Sequence, residues 1–277
     1  MPVTPPPADE FVQFDPVYVT DEDLDDLATF TGMSKNACLE RLRRYSSSEL
    51  ARQWRHANPV SADEILRFYA TTESYIWALM QWHASAARAA YWKALEYFVG
   101  YYAASAGWPQ VYDFGCGVGT DALFLTNKGY AVTAVDVPGP TLEFARHRFR
   151  RRGWNCKFVE STSQVPRIDS RYDAAVCFDV FEHLPRPLEA VKALVAALTP
   201  HGVLIQQASF TAEDAHPCHL ADGVREFGGL RWHIQLAGLG LRSTGPMTYV
   251  KVANWAAAVQ RARYAIWRLS GLWLVRA

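Results

Sequence analysis

The residues best placed to do chemistry in this chain of 277 residues are Asp113-Phe114-Gly115-Cys116-Gly117-Val118-Gly119. They follow an apolar run and precede a helical pattern that begins at Thr120, so they read as a strand–loop–helix. Glycines in such a loop let the backbone approach a ligand closely. A dinucleotide fingerprint places its glycines first, third and sixth. Here they stand first, third and fifth, and Thr120 takes the sixth place. A pyrophosphate at a helix N-terminus also needs surroundings free of anions. Asp113 and Asp121 put two carboxylates there. They repel a pyrophosphate, whereas Asp113 attracts an ammonium group such as that of a methionine moiety. The next strand, Ala131–Val135, ends in Asp136, placed to accept hydrogen bonds from ribose hydroxyls. A ribose and an amino-acid ammonium without a pyrophosphate describe S-adenosylmethionine (SAM).

Methyl transfer from a sulfonium is an in-line displacement. Its leaving group is a neutral thioether, so the protein's task is positioning, with a base only where the nucleophile must lose a proton. Candidate bases belong on loops at the C-terminal ends of strands. His183 lies just beyond the fourth strand and His219 in the loop after the fifth. Each is a candidate catalytic residue, and each has a plain alternative as a histidine that holds its loop in shape. His216 is a candidate acceptor contact. Read as metal ligands, His216, Cys218 and His219 are too close together to form a tetrahedral set alone, so no metal is expected. The stretch 68–102 is rich in aromatic residues. Packing explains most of them. A sharper reading makes the stretch a helical lid over the cofactor, with Tyr75, Trp82 and His83 lining an acceptor pocket that excludes water.

Around these residues the chain divides into an arm (1–19), a helical region that covers the substrate (20–105) and a SAM-binding Rossmann-like domain (106–277). Prolines at 2, 5, 6, 7 and 16 prevent regular helix in the arm. Thr20 caps a helix that stops at Gly32. Ser34 caps a second helix through about Tyr45. A third lies between Ser46–Ser48 and Asn58-Pro59, and Ser61 to Glu64 is a capping box that opens a helical run, broken once, to about Ala104. From Val111 strands at 111–114, 131–135, 156–159, 173–178 and 202–208 alternate with helices near 120–128, 140–151, 187–198 and 224–237. Such alternation means βαβ units and a parallel sheet. A further strand fits 241–250, an amphipathic helix 254–269, and a last strand 272–275. The basic run Arg146 to Arg152 suits the C-terminus of a helix in solvent.

The sequence resembles the class I SAM-dependent methyltransferases, and among them the ubiquinone-biosynthesis-like small-molecule group. The resemblance covers roughly residues 105–250. It is carried by Asp113 to Gly119, by Ala134-Val135-Asp136, by Tyr172 to Leu184 with its Phe181-Glu182-His183-Leu184 stretch, and by Leu198-Thr199-Pro200-His201-Gly202-Val203. It implies an α/β fold with a Rossmann-like, seven-stranded, mostly parallel sheet of order 3-2-1-4-5-7-6, with 272–275 as an antiparallel strand 7. It also implies that Asp113, Gly115, Cys116, Gly117 and Gly119 hold the methionine end and that Asp136 holds the ribose. Val137 then packs on the adenine, Glu160 and Ser161 contact its edge, and Phe178 and Asp179 flank the sulfonium.

Lys+Arg and Asp+Glu both number 28, a balance that disfavours a nucleic-acid partner. Five scattered cysteines without CxxC spacing fit a reducing cytoplasm rather than a disulfide framework. No apolar run is long enough to span a bilayer, and the N-terminus lacks the pattern of a signal peptide. The sequence allows a homodimer. The reading that results is a methyltransferase using SAM, with S-adenosylhomocysteine as product and a small, aromatic or secondary-metabolite acceptor. Its competitors are a SAM-binding protein of the same fold with a regulatory or non-methylating role, and an NAD-dependent oxidoreductase.

Overall fold

A computed structural model describes residues 14–102, 109–211 and 217–252. Six helices come first: α1 (Asp21–Thr31), α2 (Lys35–Arg44), α3 (Ser47–Ala57), α4 (Ala62–Thr71), α5 (Ser74–His83) and α6 (Ala89–Tyr102). Their starts follow local chemistry. The side chains of Thr20, Ser34, Ser46 and Ser61 each accept a backbone N–H of the first turn, and Thr20–Asp23 and Ser61–Glu64 are reciprocal capping boxes. The run expected from Ser61 with one break is broken twice, at Thr72-Glu73 and at a 3-10 turn over Ala86–Arg88. Part of the expected arm also packs: Asp15 N–H donates to the Ala84 carbonyl, beside a 3-10 turn at Pro16–Tyr18.

The alternating half contains β1 (Gln110–Phe114), α7 (Thr120–Asn127), β2 (Ala131–Asp136), α8 (Pro140–Arg152), β3 (Lys157–Glu160), β4 (Tyr172–Phe178), α9 (Pro187–Ala197), β5 (Leu198–Gln207), α10 (Ala221–Phe227), α11 (Arg231–Gly238), β6 (Leu241–Gly245) and β7 (Thr248–Lys251). The sheet order is β3-β2-β1-β4-β5-β7-β6, parallel except for β7, which is antiparallel to β5 and β6. The central strands are apolar on both faces because both are covered. Leu95 and Phe98 of α6, Leu125 of α7 and Phe149 of α8 pack on one side. Val191 and Leu194 of α9, Phe227 of α10 and Trp232 of α11 pack on the other.

Two expectations are corrected here. The stretch 241–250 is not one strand but the start of the β6–β7 hairpin, so strand 7 is Thr248–Lys251 and not 272–275. Residues 272–275 and the expected helix 254–269 lie outside the described residues. A tight reversal at Pro246-Met247 separates the two strands, with Met247 at positive φ, and no glycine in its place announces it. The expected helix at 224–237 is likewise two helices, parted at Gly228-Gly229.

The basic run of α8 is also corrected. Arg148 is 3% exposed rather than solvated. It bonds Asp23 at 2.6 Å and Asp26 at 3.2 Å on α1, while its Nη1 reaches the Val118 carbonyl (2.8 Å) and Thr120 Oγ1 (2.9 Å) beside the glycine loop. Arg151 and Arg152 also bond Asp26, which is 1% exposed. These ion pairs dock the helical region on the sheet domain, beside an apolar contact of Leu27, Leu42, Trp77 and Met80 with Val118 and Phe144. Removing one member of a buried charge network strands its partners and costs about 3–5 kcal/mol. Asp26→Ala is therefore expected to lower the unfolding free energy by about 3 kcal/mol in urea titration. An effect under about 0.5 kcal/mol would mean that the network does not bear on stability.

Candidate cofactor and acceptor site

The glycine loop is shaped by hydrogen bonds to the end of β2. Gly115 and Cys116 N–H both donate to the Val135 carbonyl, at 2.8 and 3.1 Å, and Gly117 N–H donates to Asp136 Oδ2 at 2.6 Å. Gly115 and Gly117 both have positive φ (75° and 53°), where L side chains are strained. A Cβ on Gly115 would also strike the Val180 side chain, and one on Gly117 would stand 2.8 Å from Leu79 of α5. The loop is thus pressed between β4 and the helical region.

Above it lies a cavity of about 1410 Å³. Its lining contains Gly115, Cys116, Gly117, Asp136, Val137, Ser161, Phe178 and Asp179 at one end and His183 and His219 at the other. Tyr75, Trp82 and His83 line it as well. Asp113 and Gly119 do not. Asp113 is 2% exposed beneath the loop, and Gly119 is the N-cap of α7, facing Ala145. Glu160 does not line it either: it is exposed and bonds Arg146 at 3.2 Å, which corrects its expected place at the adenine. His216 lies outside the described residues.

Arg88 was not singled out from sequence, because a lone arginine among alanines carries no pattern. It is 1% exposed, ion-paired with Asp121, and its guanidinium lies over the rings of Tyr91 (4.6 Å) and Phe178 (5.4 Å). The loop is therefore not bare of cations, which corrects the charge argument built on Asp121. An arginine beside Asp121 and Asp179 offers a carboxylate partner and an ammonium partner side by side, the pair that a zwitterionic amino acid requires. Tyr91 donates to Asp179 Oδ1 at 2.8 Å, and Asp179 stands at positive φ (54°) at the end of β4. Strain of this kind in a non-glycine residue clusters at functional sites. Trp82 packs on Tyr91, with centroids 5.7 Å apart, and Tyr91 on Phe178 at 5.0 Å.

Tyr75 belongs to the other end, against Tyr69, whose ring is 6.0 Å from His183. His183 and His219 lie 5.0 Å apart. Their Nδ1 atoms bond the carbonyls of Cys218 (3.1 Å) and Thr211 (3.0 Å), which sets the orientation of both rings. With Glu182 they each offer a heteroatom within 4.8 Å of the others, a spacing that could hold one ion. Glu182 Oε1 accepts the Ser209 N–H at 2.7 Å. His83, also on the cavity wall, bonds Thr120 Oγ1 through Nδ1 at 2.8 Å, and burial pushes its pKa down.

Residues 112–206 match a family model described as a methyltransferase domain. The segment is thus similar to methyltransferase domains. Ubiquinone biosynthesis O-methyltransferase of Rickettsia felis is 30% identical over 96 residues, covering 35% of this chain and 39% of that protein. The Rickettsia canadensis protein of the same name is 29% identical over 96 residues, covering 35% and 41%. The match thus spans about two-fifths of these relatives' length. Among solved structures, a SAM-dependent methyltransferase from Clostridium acetobutylicum shares 21% identity at a TM-score of 0.39, covering 43% of this chain and 51% of the other. A SAM-bound amino pentose methyltransferase from Micromonospora echinaspora shares 23% at 0.37, covering 43% and 50%.

The methyltransferase domain gathers acids where water is scarce. Burial raises Asp136 to about 6, against the opposing N–H groups of Gly117 and Val137. Burial raises Asp179 to about 6 against the pull of Arg88, and burial together with the charge of Asp179 raises Glu182 to about 8. Each folded value lies above that of the unfolded chain, so the folded protein holds protons that the unfolded chain has released. Stability conferred in this way is present at lower pH and lost as pH rises through the folded values. The ligand-free protein is expected to gain on the order of 1–2 kcal/mol between pH 8.5 and 6.5, a window above the ordinary histidine value. Urea titration across that window measures it. Glu182→Gln should flatten the slope, and an unchanged slope in that variant would contradict the assignment.

Proposed function

We propose that this chain transfers the methyl group of SAM to a small-molecule acceptor by in-line displacement. The carrying observation is one continuous cavity with an amino-acid-binding pair at one end and two oriented histidines at the other. Its 1410 Å³ exceeds the roughly 300–1,000 Å³ of a pocket for one small ligand, which fits a cofactor together with an acceptor.

In this reading Gly115, Cys116 and Gly117 lie along the methionine, with its carboxylate on Arg88 and its ammonium toward Asp121 and Asp179. Asp136 accepts from the ribose hydroxyls, Val137 packs on the adenine, and Phe178 and Asp179 flank the sulfonium. The helical region 20–105 covers the acceptor and keeps water from it. Trp54, Tyr69 and Tyr75 supply the aromatic wall of its chamber. The names of the Rickettsia relatives favour an aromatic hydroxyl of the quinol kind. The acceptor oxygen attacks the methyl carbon, the S–C bond electrons pass to sulfur, and the hydroxyl proton passes to His219, with His183 beside it. S-adenosylhomocysteine leaves as a neutral thioether.

Two measurements test this. S-adenosylhomocysteine at 100 times its Kd should stabilise the protein by about 2.7 kcal/mol, whereas NADH should not. With a phenolic acceptor panel, His219→Ala should lower kcat by about 10²- to 10⁴-fold and leave cofactor affinity unchanged. Stabilisation by NADH alone, or full activity in His219→Ala, would defeat the corresponding part of the proposal.

A further inference from the structure

Three side chains of the helical region converge on one carboxylate of the sheet domain. Asp179 follows β4 on the cavity wall. Tyr91 of α6 donates its hydroxyl to Oδ1 at 2.8 Å, and the indole N–H of Trp82 on α5 donates to the same carboxylate. Arg88, in the turn between these helices, adds a positive charge nearby and is itself paired with Asp121 of α7. Burial opposes the charge on Asp179 and pushes its pKa up to about 6, so the ionised form depends on this support. An indole N–H can only donate, so Trp82 favours a carboxylate oxygen that carries no proton.

The charges can be summed. Asp121, Asp179 and Arg88 leave this end of the cavity with one net negative charge. Glu182 and Asp113, the further acids close by, are raised to about 8 and well above the usual carboxylate range, so both are mostly protonated at pH 7. The methionine end of SAM brings a carboxylate, an ammonium and a sulfonium, one net positive charge. The two sums cancel. Methyl transfer turns the sulfonium into a neutral thioether, and the methionine end of the product has no net charge. The negative charge of the site then stands unbalanced where water is scarce.

We propose that Trp82 and Tyr91 are positioning residues that hold Asp179 as an anion beside the sulfonium, so that the site favours SAM over its own product, S-adenosylhomocysteine. The proposal rests on the assignment of SAM to the cavity and adds to it a discrimination between charged cofactor and neutral product. Both donors are neutral and act through Asp179, whose charge decides how much a cationic centre gains by binding there. Turnover itself then weakens the hold on the ligand, which limits inhibition by the product. Both residues stand outside the segment 112–206, so the helical region sets a property of the cofactor site as well as covering the acceptor.

The test is calorimetric binding of SAM, sinefungin and S-adenosylhomocysteine to the full chain at pH 6 and pH 8. Sinefungin carries an amine-bearing carbon in place of the sulfonium and is a second cationic probe. Tyr91→Phe keeps the ring and removes the hydroxyl. A carboxylate that loses a donor takes up a proton more readily, so at pH 6 this variant should bind SAM and sinefungin about tenfold more weakly and S-adenosylhomocysteine less than about twofold more weakly. At pH 8 Asp179 is ionised with or without the donor, and all three affinities should return to within about threefold of the wild type. Trp82→Phe removes the other donor and should act in the same direction; it is the second variant should the first fail to fold. A merely structural role would weaken charged and neutral ligands alike at both pH values. That result, or unchanged affinities in both variants, overturns the proposal. A wild type that binds none of the three would instead overturn the SAM assignment, so the two failures are distinguishable.

Discussion

Arg148 joins what would otherwise be two structures. Its guanidinium holds two acids of α1 on one side and the glycine loop, through Val118 and Thr120, on the other. Burying that charge is costly, and only complete pairing offsets the loss of water. The same guanidinium is therefore satisfied only when the helical region is docked and the loop is in its ligand-ready shape. Most other contacts of the helical region with the domain depend on that docking. Leu79 comes to lie over Gly117, His83 behind Thr120, and Arg88 beside Asp121.

The domain's own glycine loop and carboxylates therefore do not make a complete site. The cation that balances Asp121 arrives from the turn before α6, and the tyrosine that bonds Asp179 from α6 itself. Part of the cavity wall comes from α3, α4 and α5. Without the helical region the loop would present its acids to water, with no cation beside Asp121. This accounts for the raised proton affinity of Asp136, Asp179 and Glu182 in the ligand-free protein.

Much of this was legible from local chemistry. Serine and threonine caps, the Gly115–Gly117–Gly119 spacing and the β-rich runs act over a few residues, so they survive without knowledge of the fold. The elements that failed depend on distant partners. The β6–β7 hairpin turns at Met247, which has positive φ and is not glycine. Glu160 ends β3 and Ser161 follows it, and nothing in their order says which faces the cavity. The basic run of α8 has the composition of a solvated helix end. The burial of Arg148 within it follows from Asp23 and Asp26, more than a hundred positions earlier.

The sequence by itself determined the strand–loop–helix and the kind of ligand that suits the loop, because spacing and local charge act within one segment, while the order of the strands was implied by the family resemblance. Tertiary structure decided which groups surround the cavity: Arg88 beside Asp121 and Tyr91 on Asp179, and elsewhere the proximity of Glu182, His183 and His219. These residues are brought together by desolvation and charge pairing between segments far apart in the chain. Interactions of that kind leave no periodicity and no motif, so they become visible only once the chain has closed on itself.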